Sequence, residues 1–273
     1  MLEFRPAPAL FAKRLRSTEE TLTGKRILIT DACSEIGRTT AGLLAGRGAQ
    51  VLLVARRSDQ LIDACATIRA DGGEAHWCRC DVAALGDVDQ LVTWVLSEYG
   101  AVDVLINNAG RPLQRSVTQT LHRFRDYQTM MAANYFGPLR LTLGLLPAML
   151  RASAGHVVNV GPWSANISAA PNFASYASAQ AAWITFGQCA DAELAPHGIQ
   201  VSSVHYPAFQ ADIDPEAPQD EPHVPAADQA AHRVEAAVLS RCPRADPRFS
   251  RTLYALAAVA PRSTARLMHA LGS

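Results

Sequence analysis

The sequence predicts an α/β protein: a single doubly wound parallel sheet with helices on both faces. Three observations carry this expectation. Short, almost unbroken apolar runs alternate with stretches of helical period, the runs lack the in-out alternation of a half-exposed strand, and the first two flank a helix that closes on Gly48. A strand buried on both faces reads as a continuous apolar run, and parallel neighbours need a crossover between them, usually a helix.

Arg26–Thr30 is the first such run, Ile36 to Arg47 the amphipathic crossover, and residues 50–55 the second run, which together make a βαβ unit. Further strands are expected over 74–78, 103–106, 156–160 and 199–204, with helical patterns near 59–70, 85–99, 120–150 and 174–196. Beyond Pro207 the rhythm breaks: Pro215, Pro218, Pro222 and Pro225 stand among acidic residues and exclude a continuous helix, so residues 212–226 are read as a mobile loop. Residues 227–240 read as a helix, 241–251 as basic and punctuated by proline, and 252–271 as a helix rich in alanine and leucine. The expected organisation is an N-terminal extension over 1–23, a core over 24–210, and a loop with C-terminal helices over 211–273 packed on the same domain.

With 273 residues, 49% of them hydrophobic, the chain can bury one large α/β core. Lysine plus arginine equal aspartate plus glutamate at 25 each, so the total charge exerts no pull toward nucleic acid or acidic membranes. The six cysteines are scattered, and Cys78-Arg79-Cys80 is too tight for a Cys-x-x-Cys metal or redox motif; reduced thiols in a cytoplasmic protein are expected. The first 16 residues mix prolines and arginines and lack the apolar core of a secretory signal. No stretch has the ~20 apolar residues of a transmembrane segment, since residues 139–150, the nearest approach, contain Arg140, Gly144 and Pro147. No His/Cys/carboxylate cluster has metal-ligand spacing, and no Gly-x-Ser-x-Gly elbow suggests a hydrolase.

In doubly wound sheets ligands sit at the carboxyl ends of the strands, and the sequence landmarks fall there. They are Thr30 to Gly37, Ala55-Arg56-Arg57, Cys80-Asp81-Val82, Asn107-Asn108-Ala109-Gly110, Asn134-Tyr135-Phe136-Gly137, Asn159-Val160-Gly161-Pro162, Tyr176-Ala177-Ser178-Ala179-Gln180 and Tyr206-Pro207. Over about two thirds of the chain this order resembles the short-chain dehydrogenase/reductase family, a Rossmann-type fold. Residues 124–149 look more loosely like the branch of bacterial fatty acyl-CoA and fatty aldehyde reductases.

The resemblance implies a dinucleotide site. Relatives carry Thr-Gly-x-x-x-Gly-Ile-Gly after the first strand, whose glycines let the backbone approach the pyrophosphate at a helix N-terminus. Here the turn reads Thr30-Asp31-Ala32-Cys33-Ser34-Glu35-Ile36-Gly37, so Asp31 and Glu35 replace two glycines. A like-charge contact at about 4 Å costs on the order of 4 kcal/mol at an effective dielectric of 20. The two carboxylates are expected to cap the helix from within and to weaken phosphate binding there. Ile36 and Gly37 are kept, and Gly37 serves helix packing. Arg56 matches a position that would hold a 2′-phosphate and favour NADP, or is a solvated arginine at a helix start. Asp81 would meet the adenine or cap a helix, and Asn108 would lie beside the cofactor or brace the sheet.

The resemblance also implies a tyrosine acid or base with a lysine to lower its pKa, a serine to orient substrate and an asparagine in a proton relay. Tyr176 and Asn134 match the tyrosine and the asparagine. Gln180 stands at the lysine position, one helical turn from Tyr176, and brings no charge. The serine position falls at Pro162 or Trp163, neither with a hydroxyl, and Ser164 is the nearby candidate substitute. His156 and His205 near strand ends read as hydrogen-bonded sheet histidines.

Three functions are therefore open. The first is a binding or regulatory pseudoenzyme impaired in NAD(P) hydride transfer, with no or weak NADP, a small apolar or acyl ligand, and a homo-oligomeric or paralogue partner. The second is a divergent NADP-dependent oxidoreductase of a carbonyl, alcohol, acyl or aldehyde substrate. The third is a cofactor-free isomerase, lyase or cyclase using Tyr176 and Asn134 as hydrogen-bond donors.

Overall fold

The computed structural model describes residues 21–108, 110, 112–162, 172–206, 226–242, 244–245 and 259–260. Ser164, Trp163, Pro207, residues 1–20 of the expected N-terminal extension, the proline-rich loop up to residue 225 and all but residues 259–260 of the helix expected over 252–271 lie outside them.

The described residues form β1 (Arg26–Thr30), α1 (Glu35–Gly46), β2 (Gln50–Ala55), α2 (Ser58–Ala70), β3 (Glu74–Arg79), α3 (Leu85–Tyr99), β4 (Val104–Asn107), α4 (Phe124–Met131), α5 (Gly137–Ala152), β5 (Gly155–Pro162), α6 (Ala174–Leu194), β6 (Ile199–Tyr206), α7 (Ala226–Ser240) and β7 (Arg244–Ala245). The strands make one sheet in the order β3-β2-β1-β4-β5-β6-β7, and each neighbouring pair is parallel. Strand order reverses between β1 and β4, which places the ligand crevice beside their carboxyl ends.

The apolar runs are continuous because each strand is covered twice. Ile27, Ile29, Val51, Leu53 and Val158 pack with Leu44 of α1, Leu61 of α2 and Val234 of α7 on one face. Leu28, Leu52, Leu105 and Val157 pack with Leu91 of α3, Leu141 and Leu145 of α5 and residues of α6 on the other. Ile27, Leu28, Ile29, Leu52 and Leu53 are fully buried. At ~25 cal/mol per Å² such burial is the main term favouring the fold.

The fold differs from the sequence reading in two places. β7 is an added seventh strand inside the stretch read as basic and punctuated by proline; two residues are too few for a hydropathy pattern to register. The single helical pattern over 120–150 is broken into a 3₁₀ turn at Val117–Thr120, α4, a π turn at Ala132–Phe136 and α5. Hydrophobic period does not report such a break. Asn134 causes part of it, because its side-chain amide donates to the Met130 carbonyl at 2.9 Å and competes with the backbone ladder. The N–H of Gly137 then reaches back to Ala132. Gly137 is forced at this crossing: a Cβ there would lie 1.8 Å from the Val82 carbonyl oxygen.

His156 is a buried sheet histidine, as its place in a strand suggests. Its Nε2 lies 2.8 Å from Ser202 Oγ, and Arg241 donates to the neighbouring Gly155 carbonyl at 2.6 Å. Burial, aided by the Arg241 charge, pushes its pKa down from 6.5 to about 3. The unfolded chain therefore binds a proton that the folded chain refuses. His156 costs no stability above its unfolded pKa, and its cost accumulates as pH falls from about 6.5 toward 3. Its share of the slope in denaturant-derived stability should be about 1.4 kcal/mol per pH unit between roughly pH 6 and 4. His156→Gln should flatten the parent's pH profile by that amount over the same window; parallel profiles would contradict it.

Candidate active site

The crevice is organised at the β1–α1 turn. Ser34 is the N-cap of α1, accepting from Gly37 N at 3.1 Å and donating to the Asp31 carbonyl at 2.7 Å. Asn108, just past β4, donates its amide to the Ser34 hydroxyl at 3.1 Å and to the Asp31 carbonyl at 3.4 Å, and its backbone N–H donates to Thr30 Oγ1 at 3.0 Å. The turn is thereby clasped to the neighbouring strand. A Cβ on Gly37 would lie 2.4 Å from the Asp31 carbonyl oxygen and 3.1 Å from the Asn108 amide, so no other residue fits. Ile36 is buried beside it.

The two acidic residues do not cap α1 with their side chains as expected; Ser34 does, which a serine just before the helix could have signalled. Glu35 is exposed in the first turn. Asp31 is half-buried and holds the left-handed conformation, φ 49°, that a glycine adopts without strain. Burial raises its carboxyl pKa, and the charges of Arg56 and Arg57 oppose that shift without cancelling it. Asp31, Cys33, Ser34, Ala55, Arg56 and Arg57 line a cavity of about 170 Å³. Arg56 is exposed, stands just before the α2 N-cap Arg57, and also lines this cavity.

Asp81 is not the N-cap of α3, which is Ala84. Its carboxylate accepts from Ala83 N at 3.0 Å, an Asx turn that shapes the β3–α3 loop. Asn107, the neighbour of Asn108, is the sheet brace: its amide donates to Asn159 Oδ1 at 3.1 Å across β4 and β5.

A second cluster forms where β4, the π turn, β5 and α6 meet. Tyr176 and Gln180 sit one turn apart near the start of α6, and Gln180 Nε2 donates to Tyr176 Oη at 3.3 Å. A Cβ placed on Gly110 would lie 3.6 Å from Asn134 Oδ1, 3.6 Å from Gln180 Nε2 and 3.9 Å from Tyr176 Oη. The three side chains predicted from distant parts of the sequence thus converge on one backbone point. Gly110, quoted only as part of a motif, is the residue whose lack of a side chain keeps that point open. Gly161 does the same from β5, its Cβ position lying 3.4 Å from Gln180 Oε1. Asn134, Gln180 and Tyr176 are 1%, 4% and 7% exposed, so the cluster is enclosed. Met130, Phe173 and Ala179 with Tyr176 form an apolar wall, backed by Leu113 and Met131.

Pro162 ends β5 opposite Tyr206 and is buried; it offers neither a hydroxyl nor an N–H. His156 is remote in role, neutral and engaged in the sheet. His205, also buried, lines a separate cavity of about 250 Å³ with Ile184, Gly187, Gln188, Asp191 and Ser203. No cluster of metal-ligating side chains occurs among the described residues, and no described helix is long and apolar enough to cross a membrane.

Comparison with known proteins agrees with this architecture. A fatty acyl-CoA reductase of Mycobacterium tuberculosis is 36% identical over 264 residues, 96% of this chain and 90% of that protein. A fatty acyl-CoA reductase of Acinetobacter baylyi is 39% identical over 188 residues, 69% of this chain and 63% of that protein. The crystal structure of a metagenomic short-chain oxidoreductase in complex with NADP superimposes with a TM-score of 0.70 at 26% identity, covering 84% of this chain and 100% of that one. The family model described as short chain dehydrogenase matches residues 25–222. With the sheet order, the clasped β1–α1 turn and the Tyr176 cluster, these likenesses establish that the chain belongs to the short-chain dehydrogenase family.

Proposed function

We propose that this family member retains the fold and the buried Tyr176 cluster but is impaired in nicotinamide hydride transfer, and acts by binding a small apolar or acyl ligand. The observation that carries this reading is the Gln180 amide donating to Tyr176 Oη at 3.3 Å from the position where the family resemblance implies a lysine. A neutral hydrogen bond contributes about 0.5–1.5 kcal/mol net, whereas a unit charge at about 4 Å contributes on the order of 4 kcal/mol at an effective dielectric of 20. Gln180 therefore orients the phenol and, being neutral, brings no positive charge of its own to it. Pro162 adds to the deficit, because it supplies no donor to a carbonyl oxygen.

The turn does not fit a diphosphate. Asp31 brings a half-buried carboxyl and a strained φ to a position where close backbone approach is needed, and Glu35 adds a second negative charge at the same helix start. No reaction step is accordingly assigned to a bound dinucleotide. What remains is a site in which Tyr176 and Asn134 present polar atoms at the end of an apolar wall made by Met130, Phe173 and Ala179. That combination suits a ligand with one polar end and a hydrocarbon body.

A second reading, an NADP-dependent reductase of an acyl, aldehyde, carbonyl or alcohol substrate, is favoured by Arg56 and Arg57 beside the cavity at the β2 end. The fatty acyl-CoA reductases among the relatives are consistent with it. Calorimetric titration with NADPH and an NADPH-linked assay with a long-chain acyl-CoA and a fatty aldehyde distinguish the two. The parent is expected to bind NADPH more weakly than about 10 μM, corresponding to less than about 7 kcal/mol, and to show no turnover. The combined variant Asp31→Gly, Glu35→Gly, Pro162→Ser and Gln180→Lys is expected to bind at least about tenfold more tightly, or to gain reductase activity. Tight binding with turnover in the parent would establish the second reading instead.

We further infer self-association through α5 and α6. Tyr135, Phe136, Trp183 and Phe186 form an aromatic cluster there, with Trp183 and Phe186 stacked at 5.2 Å, and Phe136, Leu143 and Leu150 are exposed along the same helical region at seven-residue spacing. A homo-oligomer or a complex with a paralogue would cover this stripe. Light scattering should give the mass of a dimer or larger, and Leu143→Glu should shift it toward the monomer.

A further inference from the structure

Charge in this chain is balanced in total but segregated in sequence. Between Val104 and Ala190 there are six arginines and no lysine, against one acidic residue, Asp126. Part of that excess surrounds an exposed apolar surface. Val117, Leu121 and Phe124 are 57%, 72% and 72% exposed. They lie at i, i+4 and i+7 along the 3₁₀ turn at 117–120 and the start of α4, a spacing that puts them on one side. The opposite side is anchored: Thr120 is buried with its hydroxyl 3.3 Å from that of Tyr127, and Met130 is buried against Tyr176. His122, Arg123 and Arg125, interleaved with the apolar residues, are exposed. Asp126 pairs with Arg115 and Arg123 and leaves the outer rim cationic.

We propose that Val117, Leu121 and Phe124, ringed by His122, Arg123 and Arg125, form a docking surface for an anionic lipid interface beside the Tyr176 site. Exposed bulky apolar side chains gain by entering the boundary between headgroups and acyl chains, and arginines around them gain from an anionic headgroup layer. A small soluble ligand would engage one such residue in a pocket; three exposed side chains on one side of the segment instead match a flat, deformable apolar phase. Met130 and Met131 belong to the same helix and contribute to the wall of the Tyr176 site, so docking would bring that wall next to the lipid. This does not depend on whether the site performs hydride transfer.

Flotation of the full chain with phosphatidylcholine vesicles, with and without phosphatidylglycerol, tests it. The parent should float with the anionic vesicles and not with phosphatidylcholine alone, and about 0.5 M salt should weaken flotation without abolishing it. Leu121→Ser with Phe124→Ser should lower the vesicle affinity by at least about tenfold. Arg123→Gln with Arg125→Gln, which leaves Asp126 its Arg115 partner, should lower it several-fold and remove most of the salt dependence. Ile62→Ser, an equally simple change at an exposed apolar residue of α2, should leave it unchanged. The proposal is overturned if the parent ignores anionic vesicles, if Ile62→Ser weakens binding as much as the patch variants, or if Leu121→Ser with Phe124→Ser leaves vesicle binding intact and instead turns an oligomer into a monomer.

Discussion

The Asn108 amide, bridging the end of β4 to the Ser34 hydroxyl and the Asp31 carbonyl, holds the crevice of this protein in shape. It acts where two parallel strands diverge and a helix begins, which is where a sheet of this order opens. Because Gly37 packs against the same carbonyl with no room for a side chain, the turn has one arrangement. The helix end is satisfied internally by Ser34, and the position of the cavity beside Arg56 and Arg57 follows from it. The path of the turn and the geometry of the cavity beside it are thus set by the same few polar contacts.

The proposed departure from the family's chemistry rests on electrostatics rather than shape. The phenol of Tyr176, the amide of Asn134 and a polar partner at position 180 come together much as the motif order implies, with glycines at 110 and 161 leaving space. What differs is the sign and amount of charge. A neutral amide stands beside the phenol, and a carboxyl stands in the turn. The two residues stand at different ends of the crevice, the amide on α6 and the carboxyl in the β1–α1 turn.

The sheet was legible because burial on both faces leaves an unmistakable run of apolar residues in β1, β2 and β5, and because the glycines and asparagines at strand ends have few substitutes. The convergence of Tyr176, Gln180 and Asn134 was legible from motif order alone. Other features were hidden for identifiable reasons. The π turn depends on one side-chain amide competing for a carbonyl, which hydropathy does not encode, and β7 is too short to have a pattern. The assignment of Asp31 and Glu35 as caps failed because several residues before α1 can cap, and only the backbone path selects Ser34. Total charge likewise concealed the cationic stretch around α4, since a sum carries no information about position.

Gly137 passes so close to the Val82 carbonyl that the segment carrying Asn134 and the loop after β3 form a single mechanical unit. Shortening, lengthening or grafting that loop would act as a shim under the far side of the pocket, displacing Asn134 without touching it. Recombination among relatives would therefore have to transfer the two stretches as one cassette.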